Sequence, residues 1–545
     1  MDHAHAITDA DEHRLDAVRT FADRVLDVGR DRWSGEETPL FVDGVTVDGH
    51  EPVVWRYDDE EFIVSNLASQ QQFMRTLRGL SALTGEDRYE SAARAAVRYH
   101  FDELVDETGL LRWGGHQFVD LATLEPVGHF DADTHEFKCH FPDYDLCWQV
   151  DPDATRRMLR AVWNAHVLDW EVLDMNRHGA YGQELPLDTP WEHPWDDPDA
   201  FFAGRGLSFI NIGADLVLAA GQLARLDDDD AAWTWGRRLA HMYERARHPN
   251  TGLGAYQYSK PERREPLPDE EPMPTYSRYG DRAENQFGEQ FGDVAREGWV
   301  CWGRRLKTTY VQAGTTWLWI GSQLGDAGEQ LLEETAGALA ALYEHAYDAN
   351  RHAFRPMWAD GTDLTGKTFA KTGYYGEAGT AWHPYPADAG FLRAFVLGYE
   401  QTTDRRLWHA ARAIATNEGI GSLAADPQGE HDVRTATDSA DPDELAALLA
   451  LYRVTGDPAC LDRARSVGDT IVAERFHDGF FLPSPDHVHA RFDAIEPLVL
   501  LALDATLRGR PEAVPAYLPA SPAIHGRFDG HGRTYDRRVI WSSTR

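Results

Sequence analysis

The feature that most restricts the fold of this chain is a recurring pair of helix-period segments joined by a short turn. FIVSNLASQQQFMRTLRGLSALTG runs into EDRYESAARAAVRYHFDEL, with Leu67, Phe73, Leu77, Leu80 and Leu83 spaced for one helical face and Gly85 as the stop. The same grammar returns in LSFINIGADLVLAAGQLARLDDDDAAWTWGRRLAHMYERA, TTWLWIGSQLGDAGEQLLEETAGALAALYEHAY, GFLRAFVLGYEQTTDRRLWHAARAIAT and ELAALLALYRVTGDPACLDRARSVGDTIVAERF. Each unit is an apolar helix, a turn rich in Asp, Gly or Thr, and a more polar helix, too small to bury its own apolar face. Such hairpins stack, and an inner ring of helices within an outer ring is the compact closed solution. About six or seven hairpins suffice to close it. The expected fold is therefore all-α, an (α/α) toroid or barrel over residues 1–510 with short β-hairpins in the rim loops. Residues 511–545 are expected as a weakly packed C-terminal extension.

Loops on one rim of such a barrel line a cleft, and the connections over 111–150, 176–206, 252–306 and 352–388 are long and rich in aromatics and glycine. Long connections in compact domains are functional or disordered, and the aromatic content argues for function.

Charge narrows the partners. The chain carries 90 Asp plus Glu against 53 Lys plus Arg, a formal charge of -37, which repels nucleic acid. Its cations are almost all arginine, the lysines being Lys138, Lys260, Lys307, Lys367 and Lys371. That balance reads as a carboxylate-covered surface adapted to a salt-rich, halophilic setting. The cysteines, Cys139, Cys147, Cys301 and Cys460, form no C-x-x-C pair and no disulfide framework. The N-terminus, MDHAHAITDADEHRLDAV, has no basic, apolar leader, and no stretch has the length of a membrane span, so the expected compartment is the cytoplasm.

Ionisable chemistry concentrates in three segments: RWGGHQFVDLATLE, THEFKCHFPDYD and LDMNRHG. Gly114 and Gly115 permit close backbone approach beside His116, and QFVDL after them reads as a short strand. Glu136 and Lys138 precede the helix opened by Asp151-Pro152, and Arg177 and His178 follow it, before Gly179. Taken singly, a loop histidine is one of 24, a glutamate is one of 90 acids, and Arg177 could cap a helix C-terminus.

Together, the GGH run, the HE-x-K run followed by Pro-x-Tyr, the helix ending in NAHVLDW and the RHG triplet resemble polysaccharide lyase family 2, the helical-barrel pectate lyases, most specifically across residues 111–182. The resemblance implies that His116, Glu136 and His178 hold a divalent metal, usually manganese in that family, and that Arg177 abstracts the proton. It implies an acidic oligosaccharide or polysaccharide, pectate or its oligomers, as substrate.

The chemistry of that set is coherent. Eliminating across a uronate linkage requires the proton alpha to the carboxylate to become acidic, so a cation must neutralise the carboxylate and take up enolate charge. Two imidazoles and one carboxylate suit a transition metal such as Mn, Fe, Co, Ni or Zn, whereas calcium favours an all-oxygen shell. Arginine is an uncommon base because a guanidinium ordinarily keeps its proton, although a neighbouring cation disfavours the charged form.

Scarce Lys138 and Lys307 could neutralise a second uronate, or form ordinary ion pairs. Trp191 in WEHPW and Tyr374 in TGYYG could stack on pyranose faces, or belong to the core. Asp486, His487, His489 and Arg491 could mimic a metal site or order a loop. Two other functions remain open at this level: an (α/α)-barrel glycoside hydrolase or sugar epimerase, with Asp174 and Glu136 one conceivable carboxylate pair, and a non-catalytic glycan-binding toroid.

Overall fold

A computed structural model describes all residues except 1–4, 58–59, 129–133, 184–189, 260–280, 486, 522–531, 536–537 and 543–545. The fold class is all-α, built from (α/α) hairpins whose partners are adjacent in sequence. The chain forms two compact units: Met1–Ala161 with Ala180–Glu184 and Asp432–Arg545, and Val162–Gly179 with Leu185–His431.

In the first unit, helix Gln71–Thr84 packs on Asp87–Glu103, and Pro442–Thr455 packs on Pro458–Arg475. Helix Glu496–Leu507 runs among Asp9–Val28, Gln71–Thr84 and Pro442–Thr455, burying Leu498, Leu501, Leu503 and Leu507. The turns follow local chemistry. Gly85 and Gly456 end their helices at φ 75° and 69°, where an L side chain is strained. Asp441 and Asp457 each cap a following helix whose first residue is proline.

The second unit repeats the plan with Ile210–Asp227 on Asp230–Arg245, Gly314–Gln323 on Glu329–Ala346, and Ala389–Thr402 on Arg405–Asn417. Gly314–Gln323 also contacts both Ile210–Asp227 and Ala389–Thr402, so the apolar members of successive hairpins touch. This is how each hairpin buries the face it cannot bury alone.

One predicted helix start moves. The helix begins at Gln71, and Glu60–Ser65 before it is a strand, paired with Val54–Tyr57 and with Gln117–Asp120. The β-branched Ile63 and Val64 suit the pleat, and buried Ser65 and Asn66 spend their side chains on neighbouring backbone, Ser65 Oγ donating to the Phe41 carbonyl and Asn66 Nδ2 to the Gly114 carbonyl. QFVD is the strand expected, hairpinned onto Glu125–Gly128 to complete a four-stranded antiparallel sheet.

The cysteines are buried. Val514 and Leu518 of the expected C-terminal extension are buried, while much of the tail beyond Ser521 lies outside the described residues. Asp486 also lies outside them. Among the described residues no helix is long and apolar enough to cross a membrane.

Candidate active site

The four-stranded sheet carries the first ligand candidate. His116 follows Gly114-Gly115 and precedes strand Gln117–Asp120, and the buried Asn66 side chain braces this loop. Asn66 donates through Nδ2 to the carbonyls of Gly114 and Gln117, at 2.7 and 3.1 Å, while its Oδ1 accepts from Gly114 N. The glycines are required by contact. A Cβ on Gly114, whose φ is 120°, would meet the Glu136 carbonyl oxygen at 2.6 Å, and one on Gly115 would meet Glu136 Oε2 at 1.9 Å.

Glu136 ends strand Thr134–Glu136 and is fully buried, 0% exposed. Its Oε2 lies 3.5 Å from His116 Nε2, and its Oε1 accepts from Lys138 Nζ at 3.0 Å. Lys138 is itself buried, so the structure places its ammonium on Glu136. The segment that follows departs from ordinary backbone geometry, with Cys139 and Phe141 at φ 58° and 48°. Its surroundings hold it there: Ser521 N donates to the Cys139 carbonyl, Arg75 to the Phe141 carbonyl, and Asp143 N to Gln71 Oε1. Non-glycine residues at positive φ persist where the surroundings over-determine them, and they cluster at functional sites.

His178 opens strand His178–Ala180. Its backbone N–H donates to Asn176 Oδ1 at 3.0 Å, and its Nε2 accepts from Arg177 Nε at 3.3 Å. Gly179 permits this strand to pass close to helix Pro152–His166, since a Cβ there would lie 3.0 Å from His166 Nε2. His116, Glu136 and His178 form a group able to hold a metal ion, each offering one ligand atom within 4.8 Å of the others. Two imidazole nitrogens and a carboxylate oxygen fit a divalent transition metal by donor type. A second group, His241, Glu244 and Glu334, is partly exposed.

Arg177 is half-buried, with its guanidinium 5.9 Å from the Phe209 ring centroid. Phe209 also carries Arg282, 4.9 Å from its ring centroid, and Arg282 in turn lies 4.0 Å from the Tyr374 ring centroid. Tyr374 is 48% exposed, unusually open for a large hydrophobic side chain among the described residues. The adjacent Arg282 guanidinium, aided by Arg305, pulls its hydroxyl below the usual phenol range despite burial of part of the ring. Arg282 and Arg305 both pair with the fully buried Glu297. Burial alone would raise that carboxyl, but the two guanidiniums hold it down at about 2.

Sequence reasoning passed over Arg282, Arg305, Glu297 and Asn66. Arg305 lies in the same GRRLK run as Lys307, where lysine scarcity drew attention two residues along. Lys307 Nζ lies 3.5 Å from Asp388 in a partly exposed pair. Trp191 is edge-on to Trp163 and Trp170, donates its indole N–H to Asp229, and takes the Trp235 indole N–H on its carbonyl. Asp174 accepts from the backbone of Arg205 and Gly206, and burial nevertheless raises its carboxyl above the usual range.

These groups sit on the connections between (α/α) hairpins, a fold that by itself does not fix the chemistry. The chain belongs to the periplasmic pectate lyase family, whose sequence profile matches residues 38–527. It is 33% identical over 549 residues to the pectate disaccharide-lyase of Dickeya dadantii (strain 3937), covering 97% of this chain and 96% of that protein. Among solved structures, the cellobiose 2-epimerase from Bacillus thermoamylovorans B4167 is similar with a TM-score of 0.43 and 11% identity, over 91% of this chain and 99% of that one. A D-mannose isomerase is similar at 0.42 and 11%, over 78% and 91%.

The chain is a pectate lyase. The expected cytoplasmic location is overturned by the family's description as periplasmic. The expectation rested on the first residues of the chain, and where a sequence begins does not report the compartment in which the folded protein works.

Proposed function

We propose that pectate is cleaved by metal-assisted β-elimination, with His116, Glu136 and His178 holding the cation and Arg177 removing the proton alpha to the uronate carboxylate. The observation that carries this reading is the approach of the three ligand atoms to within 4.8 Å of one another, two of them nitrogen and one oxygen. A bound divalent cation supplies neutralisation of the substrate carboxylate and of the charge that develops as the proton leaves. Manganese is the ion that the family resemblance implies.

Protein groups prepare that chemistry. Lys138 Nζ donates to Glu136 Oε1 and leaves Oε2 toward His116. Arg177 lies beside His178 and on the Phe209 ring, so base and ligand are adjacent in sequence and in space, and a His178 that holds the cation gives up the acceptor role it plays toward Arg177 here. Tyr374, on the Arg282 guanidinium, offers an exposed ring and a hydroxyl to a sugar. Lys307 and Trp191 are assigned to outlying substrate contacts. The similarity to a pectate disaccharide-lyase supports an unsaturated disaccharide as product.

The test is incubation of the purified protein with polygalacturonate, with and without chelator. An ultraviolet-absorbing unsaturated uronate that disappears on chelation and returns with Mn²⁺ is the expected result. Turnover that survives exhaustive chelation would overturn the metal-assisted mechanism.

A further inference from the structure

Two guanidiniums of the second unit share one carboxylate, and the chemistry above leaves their excess charge unused. Arg282 pairs with Glu297 through Nε and Nη2, and Arg305 pairs with it through Nη2. A single carboxylate can balance only one of them. Asp281, the other buried acid here, spends its oxygens on the backbone N–H groups of Ala283, Glu284 and Glu297. Burial and the Glu297 charge push its carboxyl up to about 7, so near neutrality it cancels little of the remaining cation.

That excess is open to a ligand at Arg305. Its Nε is sealed without a partner, whereas its Nη1, also without a hydrogen bond among the described residues, is not sealed, and the side chain keeps 14% of its surface open. Beside it stands the exposed Tyr374, whose ring centroid is 5.9 Å from the Arg305 guanidinium and 4.0 Å from that of Arg282. The Tyr374 hydroxyl has no hydrogen bond among the described residues, and the field of Arg282 and Arg305 favours its anion despite burial and Glu297. The same field favours any anion seated there.

The ring narrows the kind of anion. A guanidinium binds a carboxylate, and an open aromatic face packs on pyranose C–H groups, so an anion carried on a sugar ring uses both. The Phe209 ring lies 5.9 Å from Arg177 and 4.9 Å from Arg282, which puts this pair beside the proposed base.

We infer that Arg305 and Tyr374, backed by Arg282, bind the carboxylate of the uronate residue next to the one being cleaved. The inference rests on the pectate lyase reading for the identity of the sugar. It makes the enzyme require two neighbouring free carboxylates, one on the cation and one on Arg305, and so assigns to Arg305 part of the discrimination against methyl-esterified chains.

The experiment compares kcat/KM on polygalacturonate with kcat/KM on randomly half-methyl-esterified polymer, at fixed ionic strength, for the full-length protein and for Arg305→Gln. Wild type, which needs two free neighbours, should prefer the unesterified polymer by about fourfold, and Arg305→Gln, which needs one, by about twofold. Arg305→Lys should stay near the wild-type ratio. An unchanged ratio in Arg305→Gln overturns the subsite, whatever happens to the absolute rates. Glu297 keeps Arg282 in Arg305→Gln, and circular dichroism checks the fold. If that variant does not fold, Tyr374→Phe, at an exposed ring, must show the same fall in the ratio, and an unchanged ratio there overturns the subsite. If the wild-type protein gives no unsaturated product, it is the lyase reading that fails. Calorimetry with saturated trigalacturonate and its methyl ester then decides the subsite. Affinity lost in the variant for the acid alone supports it, and equal loss, or none, overturns it.

Discussion

Gly115 lies so close to Glu136 that the Cβ it lacks would stand 1.9 Å from Glu136 Oε2. The glycine is thereby part of the carboxylate's seat. Gly115→Ala is expected to push Glu136 off His116 and to lower metal affinity by at least tenfold, without loss of the helical fold. Metal titration of the purified variant, beside its circular dichroism spectrum, checks this. Full affinity in Gly115→Ala would mean that Glu136 is not a ligand.

His116→Ala and His178→Ala are each expected to remove metal and turnover together while the helices persist. Both histidines lie in connections, and the packed hairpins do not depend on them. Elemental analysis of the dialysed variants is the measurement, and full occupancy in either one removes that histidine from the ligand set.

Arg177→Lys separates base from charge. Lysine keeps a cation but changes reach, shape and proton affinity, so turnover is expected to fall by a factor of about 10² or more with metal and substrate binding retained. Near-native turnover would make Arg177 an electrostatic or orienting group. Loss of metal as well would make it chiefly a support for His178, to which its Nε is bonded.

Glu297→Gln leaves Arg282 and Arg305 without their shared buried counter-charge and is expected to cost about 3–5 kcal/mol of stability near neutral pH. The pH dependence follows from a folded-state carboxyl held at about 2, below its unfolded value. Its contribution is full above the unfolded value and is lost as pH falls through the folded one. Urea midpoints for wild type and Glu297→Gln should therefore converge as pH is lowered from 5 to 2. A gap that stays constant over that range would mean that packing, not charge, carries the effect.

The hairpins were legible because an apolar stripe with a 3.6-residue period, closed by Gly85, Asp228 or Gly456, has few other readings. The strand Glu60–Ser65 was not, because a short apolar run such as FIVS fits either period, and only pairing with Val54–Tyr57 decides it. His116, Glu136 and His178 were visible as an ordered set of motifs. The set of Arg282, Arg305 and Glu297 was invisible, because arginine and glutamate are abundant here and nothing in their spacing shows that two guanidiniums converge on one carboxylate. Lys138 stood out by its rarity, but rarity carries no direction, and its ammonium turns onto Glu136.

The Asn66 clamp has a consequence for how this protein matures. Asn66 is separated by 48 residues from Gly114, whose carbonyl its amide holds, so the His116 loop takes shape only after a long stretch of chain has closed. On the proposed metal assignment, a chain that has not yet folded has no ready-made pocket for a cation, and loading follows tertiary assembly. Any free energy gained from the ion is then also free energy of folding. Removal of the proposed cation is then expected to lower the stability of the protein as well as its turnover.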